Sequence, residues 1–262
     1  MEVIQQEYKD TKIGRIPKDW KVERINEVLS KSCLGGNYEN SESEEGIPLI
    51  KMGNIGRGKI KLDKVQNTPE SFNYDNKHIL LNGDLLFNTR NTLELVGKVA
   101  IWRNELPIAL YNSNLLKMDF NKSKVYSTEF MNYVFNSNYA IRKLRGLATG
   151  TTSVAAIYNK DLFKFRVPLP PLPEQQKIAD ILSTVDEQIS TTQAIIDKSK
   201  ELKKGLMQKL FSEGIGHTEF KDTKIGRIPK DWKEIGLKKV FKLSSGKGLT
   251  KAKMKEGTIP VY

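Results

Sequence analysis

The sequence predicts an α+β protein: a domain with a small β-sheet and helices, followed by one long helix of the coiled-coil-forming kind. Three observations predict it. Short apolar runs separated by Gly, Asn and Asp turns fill residues 47–167, an unbroken amphipathic stretch runs from 173 to about 211, and a thirteen-residue N-terminal peptide recurs letter for letter after that stretch.

The β segments expected from the apolar runs are 47–51, 84–88, 96–103, 115–120 and 162–167, punctuated by turns such as Asn82-Gly83-Asp84 and the glycine-rich run from Gly53 to Gly58. One helix interrupts them. Ser127-Thr128-Glu129 offers a cap, and Phe130, Val134, Ile141 and Leu144 fall near helical spacing before Gly146 ends the pattern.

The long stretch has a different character. Pro171-Leu172-Pro173-Glu174-Gln175 places proline near the first helical position, and Ile178, Leu182, Val185, Ile189, Ile196, Leu202, Leu206 and Leu210 follow mostly three or four apart. Thr192 and Ser199 interrupt the seam, and Gly205 is tolerable within it. At 1.5 Å per residue this helix is about 55 to 60 Å long, too long for a single compact domain to cover. Its narrow apolar seam therefore calls for a second helix, with a solvent-spanning rod or a fold-back at Gly205 as the alternatives. An antiparallel coiled coil with another copy of the chain is the expected pairing.

KDTKIGRIPKDWK at residues 9–21 returns at 221–233, and Glu45-Gly46-Ile47-Pro48 is echoed by Glu256-Gly257-Thr258-Ile259-Pro260. The period is far longer than the roughly 20 to 50 residues of solenoids and propellers, so the repeated unit is a domain with its connector rather than a duplicated surface peptide. Trp20 and Trp232, with Ile13, Ile16, Ile225 and Ile228, have the composition of anchors that pack on a domain. The expected organisation is a domain at 1–170, a helix at 171–212 and a partial repeat at 213–262.

Composition bounds the function. The 262 residues are 38% hydrophobic and carry a formal charge of +12, which suits a polyanionic partner. Cys33 is the only cysteine, which excludes an intrachain disulfide and a CxxC metal site and suits a reducing, cytoplasmic setting. Residues 1–10 lack the apolar core of a signal peptide, and no stretch approaches the ~20 apolar residues of a membrane span, so no membrane partner is expected.

Pro168-Leu169-Pro170-Pro171-Leu172-Pro173-Glu174-Gln175-Gln176-Lys177-Ile178-Ala179-Asp180-Ile181-Leu182 resembles the connector-helix signature of the specificity subunits of Type I restriction–modification systems. Lys203-Lys204-Gly205-Leu206-Met207-Gln208-Lys209-Leu210-Phe211 is similar to the end of that helix. Gly14-Arg15-Ile16-Pro17-Lys18-Asp19-Trp20, Gly46-Ile47-Pro48 and Gly83-Asp84-Leu85-Leu86-Phe87 are similar to landmarks of the family's target recognition domains. The resemblance implies two recognition domains, each reading half of a split DNA sequence, with two antiparallel helices setting the gap. It implies a non-catalytic subunit without a cofactor, recruiting modification subunits that use S-adenosylmethionine to methylate adenine, with a restriction subunit as a further partner. Here one recognition domain is present with the opening of a second, so the resemblance implies a half-length form that pairs as a homodimer.

The residues themselves show no catalytic constellation. His78 and His217 are isolated, Gly53-Asn54-Ile55-Gly56-Arg57-Gly58 and Gly246-Lys247-Gly248 lack the Walker pattern, and no Asn-Pro-Pro-aromatic or Asp-Pro-Pro-aromatic tetrapeptide occurs. Reading double-stranded DNA needs cations and backbone amides for phosphates and forked or amide side chains for base edges. Three loops offer both: Lys51, Asn54, Arg57 and Lys59 in the first; Asn88, Thr89, Arg90 and Asn91 in the second; Arg142, Lys143, Arg145, Thr149, Thr151 and Thr152 in the third. Ordinary solvated turns are the competing reading of the first and third. The helix lysines, Lys198, Lys200, Lys203, Lys204 and Lys209, read best as solvated charges, and the stretch from 169 to 181 as the docking site for a modification subunit. An enzyme acting alone and a coiled-coil scaffold with non-specific DNA binding are the other function classes.

Overall fold

A computed structural model describes residues 7–41, 45–244 and 248; residues 256–260 of the weak repeat and the start of the 246–248 run lie outside them. By internal contacts the chain forms two units, 1–190 and 191–262, and the long helix passes from the first into the second.

The first unit is built on a five-stranded sheet in the order Leu29–Leu34, Leu115–Phe120, Leu85–Asn88, Val99–Ile101, Gly58–Lys59, antiparallel except for its last pair. Alternate side chains of a strand face opposite sides, and here both sides are buried. Leu85, Phe87, Val99, Ile101, Leu116 and Met118 enter one core with Phe130, Met131, Phe135 and Leu144. Leu86, Ala100 and Leu115 enter the other with Ile50, Trp102 and Tyr111. That double burial is why residues 84–88 read as a continuous apolar run. Gly83 adopts a left-handed φ of 90° just before it, and Asp84 closes the turn by accepting from the Leu81 amide at 2.9 Å and pairing with Lys117 at 3.1 Å.

Four of the predicted strands lie where expected, trimmed at the ends. The fifth does not. Residues 159–162 form a short helix, and the strand runs Arg166–Leu169, paired with Lys21–Arg24. The single predicted helix is two: α1 is Ile25–Val28, α2 Thr128–Asn136, α3 Asn138–Leu147, α4 Asn159–Leu162 and α5 Leu172–Glu213. Ser137 divides α2 from α3, because its Oγ donates to the Val134 carbonyl at 2.7 Å and accepts from the Ala140 amide at 3.3 Å, capping a new helix.

The start of α5 is locked to the domain. Gln175 is 1% exposed and fully bonded: its Nε2 donates to the carbonyls of Lys124 at 2.9 Å and Pro170 at 2.8 Å, and its Oε1 accepts from the Tyr126 amide at 2.9 Å. Trp20 donates from Nε1 to Glu174 at 3.0 Å, and Ala179 and Ile178 pack on the first core. About two and three turns beyond Ala179, Tyr133 donates to Asp186 at 2.9 Å and Lys59 to Ser190 at 3.2 Å. Ile178 therefore belongs to the domain's core and is not a rung of the exposed seam.

Beyond Asp186 every residue of α5 is exposed. The helix continues through Gly205 without a break.

In the second unit the repeated peptide folds as its first copy does. Tyr8–Thr11 pairs with Gly14–Pro17, and Phe220–Thr223 with Gly226–Pro229. Thr11 and Thr223 each donate to the following glycine carbonyl at 2.7 Å, and Lys18 and Lys230 each pair with a glutamate eleven residues earlier. Arg15 lies over Tyr8 and Arg227 over Phe220. Identical sequence gives the same hairpin on two different backgrounds, so its fold is set locally.

Replacing Gln175 with Ala strands one buried amide and two carbonyls, for an expected loss of about 2 to 3 kcal/mol of stability in urea unfolding. A loss within a few tenths would show that the junction is held by apolar packing alone.

Candidate nucleic-acid interface

The second and third loops expected to meet DNA are one structure. Arg90–Asn91, Ala155–Ala156 and Thr149–Gly150 form a three-stranded antiparallel sheet in that order, with Arg90 opposite Ala156 and Asn91 opposite Ala155. The Thr151 amide donates to the Val154 carbonyl at 2.8 Å, the Thr151 hydroxyl accepts from the Val154 amide at 3.2 Å, and Gly150 supplies a φ of 125°. The Leu93 amide bonds the Thr152 carbonyl at 3.0 Å, tying the two loops together again. Arg90, Thr149, Thr151, Thr152 and Ser153 are exposed along this ledge.

Other residues of the second loop serve its shape. Asn88 is wholly buried, with Oδ1 accepting from the Arg90 amide at 3.3 Å and Nδ2 donating to the Met52 carbonyl at 3.5 Å. Thr89 donates to the Asn114 carbonyl at 2.8 Å, and Asn91 Oδ1 accepts from the Thr92 amide at 2.8 Å. An amide enclosed like that of Asn88 offers no edge to a base, which corrects its expected role.

The first loop is divided. Asn54 is 4% exposed and braces the turn, accepting from the Lys51 amide and donating to the Lys61 carbonyl, both at 3.0 Å. Lys51 Nζ donates to Gln66 at 2.6 Å, and its partial burial lowers its pKa from the ordinary lysine value. Lys59 leans on α5 through Ser190. Gly58 lies between Arg57 and Lys59 with a left-handed φ of 80°, its carbonyl held by Asn132 and Arg103 at 3.3 Å each, and that kink lets the two cations part. Of the first loop's four candidates, Arg57 alone joins the third loop, where it senses the charge of Arg145 in the last turn of α3. Arg142 and Lys143 are exposed on α3, with Arg142 folded back onto the Asn138 carbonyl at 3.3 Å.

Two features escaped sequence reasoning. A cleft of about 500 Å³ beside Arg90 is lined by Leu34, Thr89, Asn114, Tyr158 and Asn159, with Tyr158 52% exposed and Lys160 6.0 Å from its ring. The second is Lys98, which sits with Arg57 and Lys61. An aromatic at the end of the third loop was a readable signal for the first; Lys98 follows a glycine inside an apolar run and gave none.

Neither histidine is a ligand in waiting. His78 is buried between the Tyr38 and Tyr111 rings with Nδ1 2.6 Å from the Tyr38 hydroxyl, and His217 lies 3.3 Å from Asp231. Among the described residues no group of His, Cys, Asp and Glu is placed to hold a metal, and no helix is long and apolar enough to cross a membrane.

The family model of the Type I restriction modification DNA specificity domain matches residues 17–201. The chain belongs to that family. It is 33% identical over 246 residues to a putative type I restriction enzyme MjaX specificity subunit of Methanocaldococcus jannaschii, covering 92% of this chain and 58% of the relative. The MjaVIII specificity subunit of the same organism is 31% identical over 261 residues, covering 94% and 56%. The chain thus spans little more than half the length of these specificity subunits. A crystal structure of the S subunit of the Type I restriction–modification system from M. genitalium shares the fold, with a TM-score of 0.50 at 18% identity over 73% of this chain and 46% of that one.

The hairpin of the ledge depends on Gly150, where an added Cβ would lie 2.3 Å from the Val154 carbonyl oxygen. Gly150→Ala is expected to cost about 1 to 3 kcal/mol locally. Amide exchange should quicken at Thr151 and Ala155 and stay slow in the strand Leu85–Asn88; equal protection of the hairpin in both proteins would show the turn tolerates a side chain.

Proposed function

We propose that this chain is a non-catalytic specificity subunit that reads one half of a bipartite duplex DNA sequence and recruits adenine-methylating modification subunits, as a homodimer of half-subunits. The observation that carries this reading is the ledge. Two loops far apart in sequence are hydrogen-bonded into one small sheet on which Arg90, Thr151 and Thr152 are exposed. A guanidinium fork reads O6 and N7 of guanine in the major groove, and a sheet edge fixed to a core buried on both faces holds it still.

The pairing rests on α5. Leu182, Val185, Ile189, Ile196, Leu202, Leu206 and Leu210 are 38% to 64% exposed, an apolar seam that the described residues leave uncovered. A second α5 laid antiparallel covers it at the same heights on both helices, and a twofold-symmetric reader selects a palindromic split site. Modification subunits, carrying S-adenosylmethionine, dock at the helix start. Leu169, Gln175 and Ala179 are buried there, so the docking face narrows to Pro171, Pro173, Gln176, Lys177, Asp180 and Ile181. A restriction subunit joins the same assembly.

Methylation of DNA should require the chain together with modification subunits and S-adenosylmethionine; methylation by the purified chain alone refutes the reading. Arg90→Ala is expected to cost about 1 to 3 kcal/mol at one base position and to relax the preference there, whereas an equal loss on all sequences marks a phosphate contact. In sedimentation the chain should have twice its mass of 29.8 kDa, and the double variant Leu182→Asp, Val185→Asp should halve it with little change in melting temperature. A wild-type monomer contradicts the homodimer.

A further inference from the structure

Beside the ledge lies a group of cations gathered by three separate elements. Gly97, with a φ of 76°, lets α3 come against the sheet: a Cβ there would lie 3.4 Å from Cβ of Leu144 and 3.1 Å from Cδ1 of Ile157. Lys98 is the residue after Gly97 and Arg145 the residue after Leu144, so the two flank that close approach. The parallel pairing of Gly58 with Ala100 brings Arg57 alongside the same strand. Lys61 is drawn in by the mutual bonds of Asn54 and Lys61, and its side chain crosses Gly56, whose missing Cβ would lie 3.5 Å from Lys61 Cε.

Four positive charges therefore share one patch, and none of the four makes an ion pair with another described residue. The arrangement is electrostatically unfavourable on its own. Burial first, and then the Arg145 charge, lower the pKa of Arg57; burial, Lys61 and Arg57 lower that of Lys98, with Glu94 opposing. Repelling cations without side-chain acceptors are relieved by an anion with spaced charges. Their side chains are not oriented by bonds, as base reading requires, but a phosphodiester backbone needs only charge at the right spacing. Arg145 and Thr152 line one cavity of about 490 Å³ with Thr92, Leu93 and Glu94, so the patch is continuous with the ledge and carries one carboxylate at its border.

We propose that Arg57, Lys61, Lys98 and Arg145 form a sequence-independent clamp on the DNA backbone, which supplies affinity and register while the ledge supplies specificity. This rests on the reading of the ledge as a DNA-binding face. Each phosphate contact releases counterions and steepens the fall of binding with salt by about 0.9 in a plot of log K against log salt.

The test compares the wild-type chain with Arg57→Gln, Lys98→Gln, each assembled with the modification subunits, on a duplex carrying the sequence methylated in the source cell and on a scrambled duplex, across a salt series. The double variant should bind both duplexes about tenfold or more weakly, with the slope reduced by about 2 and the preference between duplexes unaltered. Its melting temperature should hold or rise, since repulsion is removed. Lys61→Gln, at an exposed side chain, repeats the test with a slope change of about 1. An unaltered slope, or a shifted preference, overturns the clamp while the wild-type discrimination still stands. A wild-type complex that binds both duplexes alike overturns the DNA-reading function instead.

Discussion

The buried amide of Gln175 is the point on which the molecule turns. It sits where the domain becomes a helix, and its three bonds reach backbone groups of two segments, 124 and 126 in the loop before α2 and 170 after the strand that enters α5. A side-chain amide so enclosed is stable only with its bonding satisfied, so the helix start, the loop before α2 and the strand before α5 must be in place together. Trp20 adds the N-terminal hairpin through Glu174, and Tyr133 and Lys59 extend the attachment along α5. The helix thus leaves the domain in a fixed direction. The proposed role of α5 as a spacer between two half-sites requires a helix anchored in this way.

The same junction takes in the first copy of the repeat. The hairpin and tryptophan of residues 9–21 lead into the strand Lys21–Arg24, which pairs with the strand entering α5. The first copy of this peptide therefore lies at a helix entrance. The two hairpins agree in their side-chain bonds as well as in register, which shows that the repeated peptide carries its own fold.

The elements legible in the sequence are those whose cause is local. The α5 stretch shows a long apolar seam and a proline entrance, and the 84–88 strand shows a continuous apolar run between turn residues. The errors arose where polar residues choose between local and distant partners. Ser137 caps a new helix in the middle of an apparently continuous one, and residues 159–162 coil before the strand begins. The candidate site followed the same rule. Arg90 and the 149–152 loop stand out because Arg, Asn, Thr and Gly cluster in sequence and because both are exposed in the structure, whereas Asn54 and Asn88, of the same composition, turn inward to brace the loops. Lys98 comes beside Arg57 and Lys61 only through tertiary contacts, and no spacing along the chain announces it.

Division of labour is the central claim: the domain between the N-terminal hairpin and α5 holds the sequence information, and the helix holds the spacing. Grafting the corresponding domain of a related specificity subunit between Lys21 and Leu169, and sequencing the adenine methylation in cells carrying the chimera, tests it directly. The half-site should change to that of the donor while the gap length stays that of α5. A methylated motif that keeps its original half-site, or a gap that changes with the graft, would contradict the account.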